Sequence, residues 1–524
     1  KTYGNDFFII LNDGQWKNGT WLITGYKGIP EDQTMTEIYN EFTINALKGA
    51  FTIDSNGTFD ILAYHGPSAG IVHDNRTNKE IENRWVLYRT SSTLYNVKKY
   101  FDAGFKYWCA DDCWYGRAYL KEFAGMDYEH DAFWALDMAA EFYSIYDVEC
   151  PVIITFDGLA NAMEGSFKLN NTEVGEEYYK EWLKNAVQTV KNYRPRNGGK
   201  NFFKGIQLAD EPSVSETESY AKMYNYLTEE LNLTADGYIL NSSFFGTIGN
   251  ETQVGSDYIA YIENYLAEMN GEKVLLYDNY PFKLRETSLT ATTRTSILVE
   301  SYFSNMQIIS KIAKKNGLKA GVCIQSMAFD DNSGGAWSNT NYYIHNQKNI
   351  SMQLYSALAF GYSYFNYFVY TTPMDLHDSE TYTDSPVGWS DDKKSIVYNL
   401  MYDWVKNVNN EVKNFENVLS EFTYRGTQVV GSLSGVTSDL TIGATATYSA
   451  LIGHYEKNGL KSYVVANAYD PTANSKSNTV TLTIGTGTAV VYINGIPSII
   501  NADGGELTLN LSAGAGAFVI PIAD

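Results

Sequence analysis

The sequence predicts an α/β fold: a (β/α)8 barrel of the TIM type followed by a C-terminal antiparallel β-sandwich domain. Three observations predict it. Over residues 57–415, short apolar runs alternate with longer stretches of helical periodicity, and the alternation repeats eight times. The apolar runs are near-continuous, as parallel strands buried on both faces should be. After about residue 420 the helical period vanishes, and short strands with Gly-, Ser- and Thr-rich turn signals take over through residues 420–524.

The elements follow in order. Within residues 1–56, "FFIILNDG", "WLITGY" and "AFTID" suggest an N-terminal β-rich segment packed on the barrel. Strand one is "FDILAYHGP" (59–67). The stretch 90–105 has Leu94, Val97, Tyr100 and Phe101 at helical spacing behind Thr/Ser capping candidates. "KYWCADD" (106–112) is strand two, 131–146 is a helix, and "PVIITFDG" (151–158) is strand three. Residues 176–193 form a helix with Tyr179, Leu183, Ala186 and Val190 in register, and "FFKGIQLADEP" (202–212) is strand four. "GYILNSSF" (237–244), "KVLLYDNYPF" (273–282), "KAGVCIQSMAF" (319–329) and "YSYFNYFVYTTP" (362–373) complete the eight strands. Helices at 296–317, with Gly317 as C-cap, at 350–361 and at 395–412 complete the shell. Beyond them "TQVVGSLSG", "TATYSALIGHYE", "KSYVVANAYD", "NTVTLTIG", "TAVVYING", "GELTLNLSAG" and "GAFVIPI" read as sandwich strands.

Composition narrows the function classes. With 524 residues, 44% hydrophobic and 19% charged, the chain can bury a large core in two or three domains. A net charge of −22 repels nucleic-acid phosphates and anionic membranes, so neither is expected as a partner. No run of eighteen apolar residues suggests a membrane span. Residues Lys1 to Phe8 do not resemble a signal peptide, which fits a processed chain or one that never carried a leader. The 42 tyrosines suit sugar surfaces, because the ring stacks on C–H faces while the hydroxyl hydrogen-bonds. Four cysteines are too few for a disulfide scaffold, and "CADDC" (109–113) lacks a matching Cys/His pair for zinc. No cofactor and no metal is expected.

In such a barrel the chemistry sits at the C-terminal ends of the strands. Those ends supply His65, Asp111, Asp112, Asp157, Asp210, Glu211, Asn241, Asp278, Tyr280, Gln325 and Tyr367 to Tyr370. Glu211 stands out. A carboxyl between an apolar strand and an aromatic pocket has its pKa raised by desolvation, and can hold a proton for a leaving oxygen. A plain helix entry is the competing reading of "DEPS", with proline in the first turn.

These motifs carry a resemblance. "YHGP" after strand one, "DAGF" before strand two, "LADEP", "YDNYP" and "LYSALAFGYSYFNYFVY" together resemble clan A glycoside hydrolases, and within them the β-galactosidase-like barrels of gut bacteria. The resemblance covers roughly residues 57–415, and the terminal sandwich is similar to the accessory domains that follow such barrels. It implies a secreted or cell-surface glycosidase with a carbohydrate substrate and Glu211 as general acid/base. The chain departs from that pattern twice: Asp210 stands where Asn is usual, and Gln325 where the strand-seven Glu nucleophile belongs, with Asp330 and Asp331 a little further on. Three solutions follow. Asp278 serves as second carboxylate. Alternatively, Asp210 and Glu211 act as in substrate-assisted β-N-acetylhexosaminidases, with Tyr277 or Asp278 supporting the intermediate. Or the groove binds glycans without cleaving them.

Around these carboxylates His65, Asp111, Asp157, Tyr280, Gln325 and Tyr367 are candidates for sugar hydroxyls. Trp108, Trp114, Trp337 and Trp389 are candidate stacking platforms, Trp337 foremost because it lies in a Gly/Asn/Ser loop. The sugar, the linkage and the oligomeric state are not legible.

Overall fold

The barrel is a single ring of parallel strands. The computed structural model describes residues 2–3, 6–7, 59–63, 91–110, 131–155, 162–163, 166–169, 172–208, 211–241, 244–249, 251–271, 273–284, 297–298, 301–331, 341–371, 380–389, 396–469 and 476–522. Within them lie β1 (Asp60–Ala63), α1 (Ser91–Asp102), β2 (Tyr107–Ala110), α2 (Asp131–Tyr146), β3 (Val152–Thr155), α3 (Glu176–Asn192), β4 (Phe203–Gln207) and α4 (Thr217–Asn225). Strand β5 comes in two pieces, Ile239–Asn241 and Phe244–Phe245. Then follow α5 (Tyr258–Glu268), β6 (Val274–Tyr277), α6 (Tyr302–Asn316), β7 (Lys319–Gln325), α7 (Gln347–Ala359), β8 (Tyr364–Phe368) and α8 (Leu400–Leu419). The first piece of β5 pairs with β4 and the second with β6, so the parallel sheet closes on itself.

Side-chain alternation explains why the strands read as continuous apolar runs. On β7, Ala320, Val322 and Ile324 pack outward against helices, while Cys323 joins Leu62, Tyr107, Cys109, Ile153, Leu276 and Tyr364 in the barrel lumen. Each buried aliphatic side chain contributes about 1.5–3 kcal/mol. Helix α3 shows the other half of the packing: Tyr179, Leu183, Ala186, Val187 and Val190 form one buried stripe, as its spacing predicts. Gly205 on β4 is required by contact, since a Cβ there would stand 2.1 Å from the Ile239 carbonyl oxygen on β5. Helix α6 ends at Gly317 with φ +67°, and Leu318 N–H returns to the Ala313 carbonyl at 2.9 Å, the cap expected from the sequence. Helix α7 opens with a reciprocal box between Asn346 and Asn349. The last helix starts at Leu400 rather than at 395 and ends at Leu419; residues Ile396–Tyr398 instead pair as a strand with Val387–Trp389.

The two ends of the ring differ. At the N-terminal end the buried Asp60 lies between Lys106 Nζ at 3.0 Å, itself nearly buried, and the half-exposed Lys319 Nζ at 2.9 Å, and this ion triad closes the bottom. At the C-terminal end the segments after β6, β7 and β8 join in one antiparallel sheet, in the order Ile297–Leu298, Phe282–Leu284, Asn341–Tyr342, Ala328–Asp331, Glu380–Asp384. Asp330 and Asp331 belong to this sheet.

The C-terminal unit is a sandwich of a six-stranded and a three-stranded antiparallel sheet. Its strands are β9 (Thr423–Val430), β10 (Ala444–Ala446), β11 (Ala450–Lys457), β12 (Leu460–Asn467), β13 (Asn478–Thr483), β14 (Thr488–Ile493), β15 (Ile496–Asn501), β16 (Glu506–Leu511) and β17 (Gly516–Ile522). Asn458–Gly459 and Asn494–Gly495 all have positive φ and turn the β11–β12 and β14–β15 hairpins. The six-stranded sheet is buried on both faces. Tyr463 and Val465 enter the sandwich core, whereas Val464 and Ala466 join the barrel core beside α7 and α8. Phe415 of α8 contacts both Tyr492 and Phe518. Of the N-terminal segment expected over residues 1–56, only the pair Thr2–Tyr3 and Asp6–Phe7 falls among the described residues.

Candidate functional site

The ends of β4, β5 and β6 meet at a hydrogen-bonded node. Leaving β4, the chain turns at Glu211, whose φ of +39° is left-handed. For a residue with a Cβ this conformation costs about 1–2 kcal/mol, and such strain gathers where geometry serves function. Glu211 is partly exposed and Pro212 is buried. The Pro212 carbonyl accepts the Tyr261 hydroxyl of α5 at 2.5 Å. Helix entry after the turn is handled by other residues: Ser213 donates its N–H and hydroxyl to Glu216 Oε2 at 2.8 and 2.7 Å.

Asp278 follows β6 directly. Its N–H donates to the Phe245 carbonyl at 3.2 Å, and its Oδ1 is shielded from solvent. The next residue, Asn279, is buried and donates from Nδ2 to Asn305 Oδ1 at 3.4 Å. Asn305, on α6 and wholly buried, is the hub. Its Oδ1 also accepts the Thr247 hydroxyl at 2.9 Å and the Ile248 N–H at 3.0 Å, while its Nδ2 donates to the Tyr258 hydroxyl at 3.0 Å. Tyr258 and Tyr261 sit one turn apart on α5 and register both candidate carboxylates. Burial is the main cause that raises each phenol above its ordinary pKa, and the negative charges of Glu211 and Asp278 add to it at both. The segments that carry Glu211 and Asp278 are thus both linked by hydrogen bonds to α5, through Tyr261 and through Asn305 with Tyr258.

Aromatic rings line the mouth next to it. Tyr280, partly exposed, stacks on Phe368 at 5.5 Å and 30° and meets Tyr342 edge-on at 5.5 Å, with Met327 and Val369 completing the cluster. Below Phe368 on the same strand is Asn366, fully buried, with neither its Nδ2 nor its Oδ1 hydrogen-bonded among the described residues. It shares the lumenal face with Tyr364, opposite Leu62 on β1 and Cys323 on β7. Gln207, also buried, occupies the lumenal face of β4.

Three expectations are corrected. Tyr367 does not face substrate. It lies on the helix-facing side of β8, wholly buried, and donates to Asn409 Oδ1 of α8 at 2.6 Å. Gln325 is buried and fully engaged as a clamp: its Oε1 accepts Phe282 N–H at 3.0 Å and its Nε2 donates to the Phe282 carbonyl at 3.1 Å. It fixes the segment after β6, with both amide atoms already bonded to Phe282. Trp108 packs edge-on against Trp134 in the core at 6.3 Å, so it is no platform. Asp210, His65, Asp111, Asp112, Asp157, Trp114 and Trp337 lie outside the described residues, and Trp389 does so as regards its side chain. Asn366, Asn305, Tyr258 and Tyr261 escaped the reading of strand ends. A signal for Asn366 existed: it is the one carboxamide inside the aromatic strand "YFNYF".

Among the described residues, no group of three or more His, Cys, Asp or Glu side chains is placed to hold a metal ion. Among them, too, no helix is long and apolar enough to cross a membrane. No family model and no curated protein matches the chain. Solved structures similar to it include an alpha-amylase of Anoxybacillus, at 11% identity and TM-score 0.45 over 89% of this chain and 98% of that one. Alpha-galactosidase I of Mortierella vinacea is similar at 10% identity and TM-score 0.44 over 89% and 97%. A GH30 endoxylanase of Clostridium papyrosolvens C71 is similar at 13% and 0.41 over 89% and 97%.

Proposed function

We propose that the protein is a glycoside hydrolase that cleaves O-glycosidic bonds of oligo- or polysaccharides. Glu211 serves as general acid/base and Asp278 as the second carboxylate. The observation that carries this reading is the shared node: the turn bearing Glu211 is bonded to α5 through Tyr261, Asn279 beside Asp278 is bonded to Asn305 of α6 and through it to Tyr258 of α5, and both charges act on Tyr258 and Tyr261. In the reaction the Glu211 carboxyl gives its proton to the glycosidic oxygen as the C–O bond breaks. Asp278 either attacks the anomeric carbon as that bond breaks, giving a glycosyl ester that water, deprotonated by Glu211, then cleaves, or takes a proton from the water that attacks the carbon directly. Separations of about 5–5.5 Å favour the first and about 6.5–9.5 Å the second. The Tyr280–Phe368 pair offers a flat face to a sugar ring, and Asn366 offers one donor pair and one acceptor to its hydroxyls.

The test is hydrolysis of a panel of 4-nitrophenyl glycosides and natural glycans, with 2-acetamido sugars included, by wild type, Glu211→Gln and Asp278→Asn. Loss of an acid/base should lower kcat/KM by about 10²–10⁴-fold. Full activity of Glu211→Gln on a substrate that wild type cleaves refutes the assignment. Turnover confined to 2-acetamido sugars moves the second role from Asp278 to the substrate itself.

A further inference from the structure

The reaction assignment leaves unexplained how a strained turn is held. Glu211 sits at φ +39°, and a proline follows it, which itself restricts the preceding residue. Nothing in the local sequence favours that conformation for glutamate. It persists when the surroundings over-determine it. A contact next to that turn is the Tyr261 hydroxyl, which donates to the Pro212 carbonyl across 49 residues of sequence inside a buried shell. Tyr261 is fixed in turn: its ring is packed edge-on against Phe245 at 5.6 Å, and α5 is started by Asp257, whose side chain accepts Ala260 N–H. One turn earlier, Tyr258 is bonded to Asn305, and Asn305 is bonded to Asn279, the neighbour of Asp278.

We propose that Tyr261 is a positioning residue that sets the orientation of Glu211 through the Pro212 carbonyl, and that Asn305 extends the same frame to Asp278. The two carboxylates, carried by different strands, are thereby held in one register by a continuous path: Pro212, Tyr261, helix α5, Tyr258, Asn305, Asn279. Neither Tyr261 nor Asn305 touches substrate. This inference rests on the assignment of Glu211 and Asp278 given above and concerns how their spacing is kept. Tyr261→Phe removes one oxygen and leaves the ring, so packing is conserved while the tether is lost. The buried Pro212 carbonyl then lacks its donor, and the turn is free to relax.

Two measurements test it on the full chain. The first is steady-state kinetics across pH on the 4-nitrophenyl glycoside that wild type cleaves best. Tyr261→Phe should lower kcat by ten-fold or more, change KM by less than two-fold and move a limb of the pH–rate profile. A packing defect alone would lower Tm and the active fraction without moving the profile. The second does not need turnover: carbon NMR of protein labelled at the glutamate carboxyls, with the Glu211 resonance identified by its loss in Glu211→Gln. Its titration midpoint should move in Tyr261→Phe and, by the second route, in Asn305→Ser. An unchanged midpoint and an unchanged pH profile in both variants overturn the inference. If Glu211→Gln is itself fully active, the functional assignment fails instead; if that variant is inactive while Tyr261→Phe behaves as wild type, only the tether fails.

Discussion

Replacing Glu411 by glutamine should make the protein less sensitive to alkaline pH. Glu411 lies on α8, facing the sandwich. Gly495 of the β14–β15 turn sits against its backbone, and its carboxylate receives only long hydrogen bonds, from Tyr355 at 3.4 Å and Gln347 at 3.5 Å. Burial raises its pKa from 4.5 to about 7, and the Tyr355 hydroxyl offsets this only in part. The raised value means that the folded state prefers the protonated acid. Below pH 4.5 both states are protonated and there is no penalty. Between 4.5 and about 7 ionisation costs the fold progressively more, and above that the cost is constant. The difference of roughly two and a half pH units corresponds to about 3 kcal/mol, at 1.36 kcal/mol per unit. Glutamine keeps the shape and one acceptor but cannot ionise. Urea unfolding of wild type and Glu411→Gln from pH 4 to 9 isolates the effect, because every other titrating group cancels in the difference. The variant should gain on wild type by about 3 kcal/mol between the acid and alkaline limits. A difference that stays flat with pH would refute the reasoning.

Other perturbations follow from the same geometry. Asn366→Leu removes two unpaired buried polar atoms and should leave the fold as stable or more stable, by about 1–3 kcal/mol, while weakening sugar binding; thermal melts with and without substrate separate the two effects. Asp60→Ala strands the nearly buried Lys106 at the closed end of the barrel, while the half-exposed Lys319 is screened by water, and should cost about 1–3 kcal/mol, with turnover per folded molecule unchanged. Gly453→Ala would place a Cβ 2.5 Å from the Ala359 carbonyl oxygen and should lower the denaturation midpoint by an amount equivalent to about 1–3 kcal/mol.

The ring of strands was legible because burial on both faces erases alternation, and because each apolar run is followed by a stretch of clear helical period. The same erasure hid which face each residue takes. In "YFNYF" aromatics occupy both sides of β8, so Tyr367 read as a rim residue although it points to α8, and Asn366 went unread although it points to the lumen. Gln325 occupied the place where a carboxylate was sought, but its task depends on Phe282, a partner 43 residues away that no local pattern announces. The sandwich strands read from the sequence do not include Ile496–Asn501, which carries Pro497. It is tolerated there because the strand lies at the edge of its sheet, paired on one side only with Thr488–Ile493. Positions 211 and 278 were singled out from strand ends alone; Tyr258, Tyr261 and Asn305, which hydrogen-bond beside them, were not, since they come from the helical layer.

The doubly covered six-stranded sheet has a practical consequence for anyone who cuts this chain. Its barrel-facing side covers the helical layer, with Phe518, Val464 and Leu451 seated among the side chains of α7 and α8. A truncation near residue 420 would bare a greasy wall on the remaining barrel and another on the excised piece. Both halves should therefore clump when expressed alone and recover solubility when produced together.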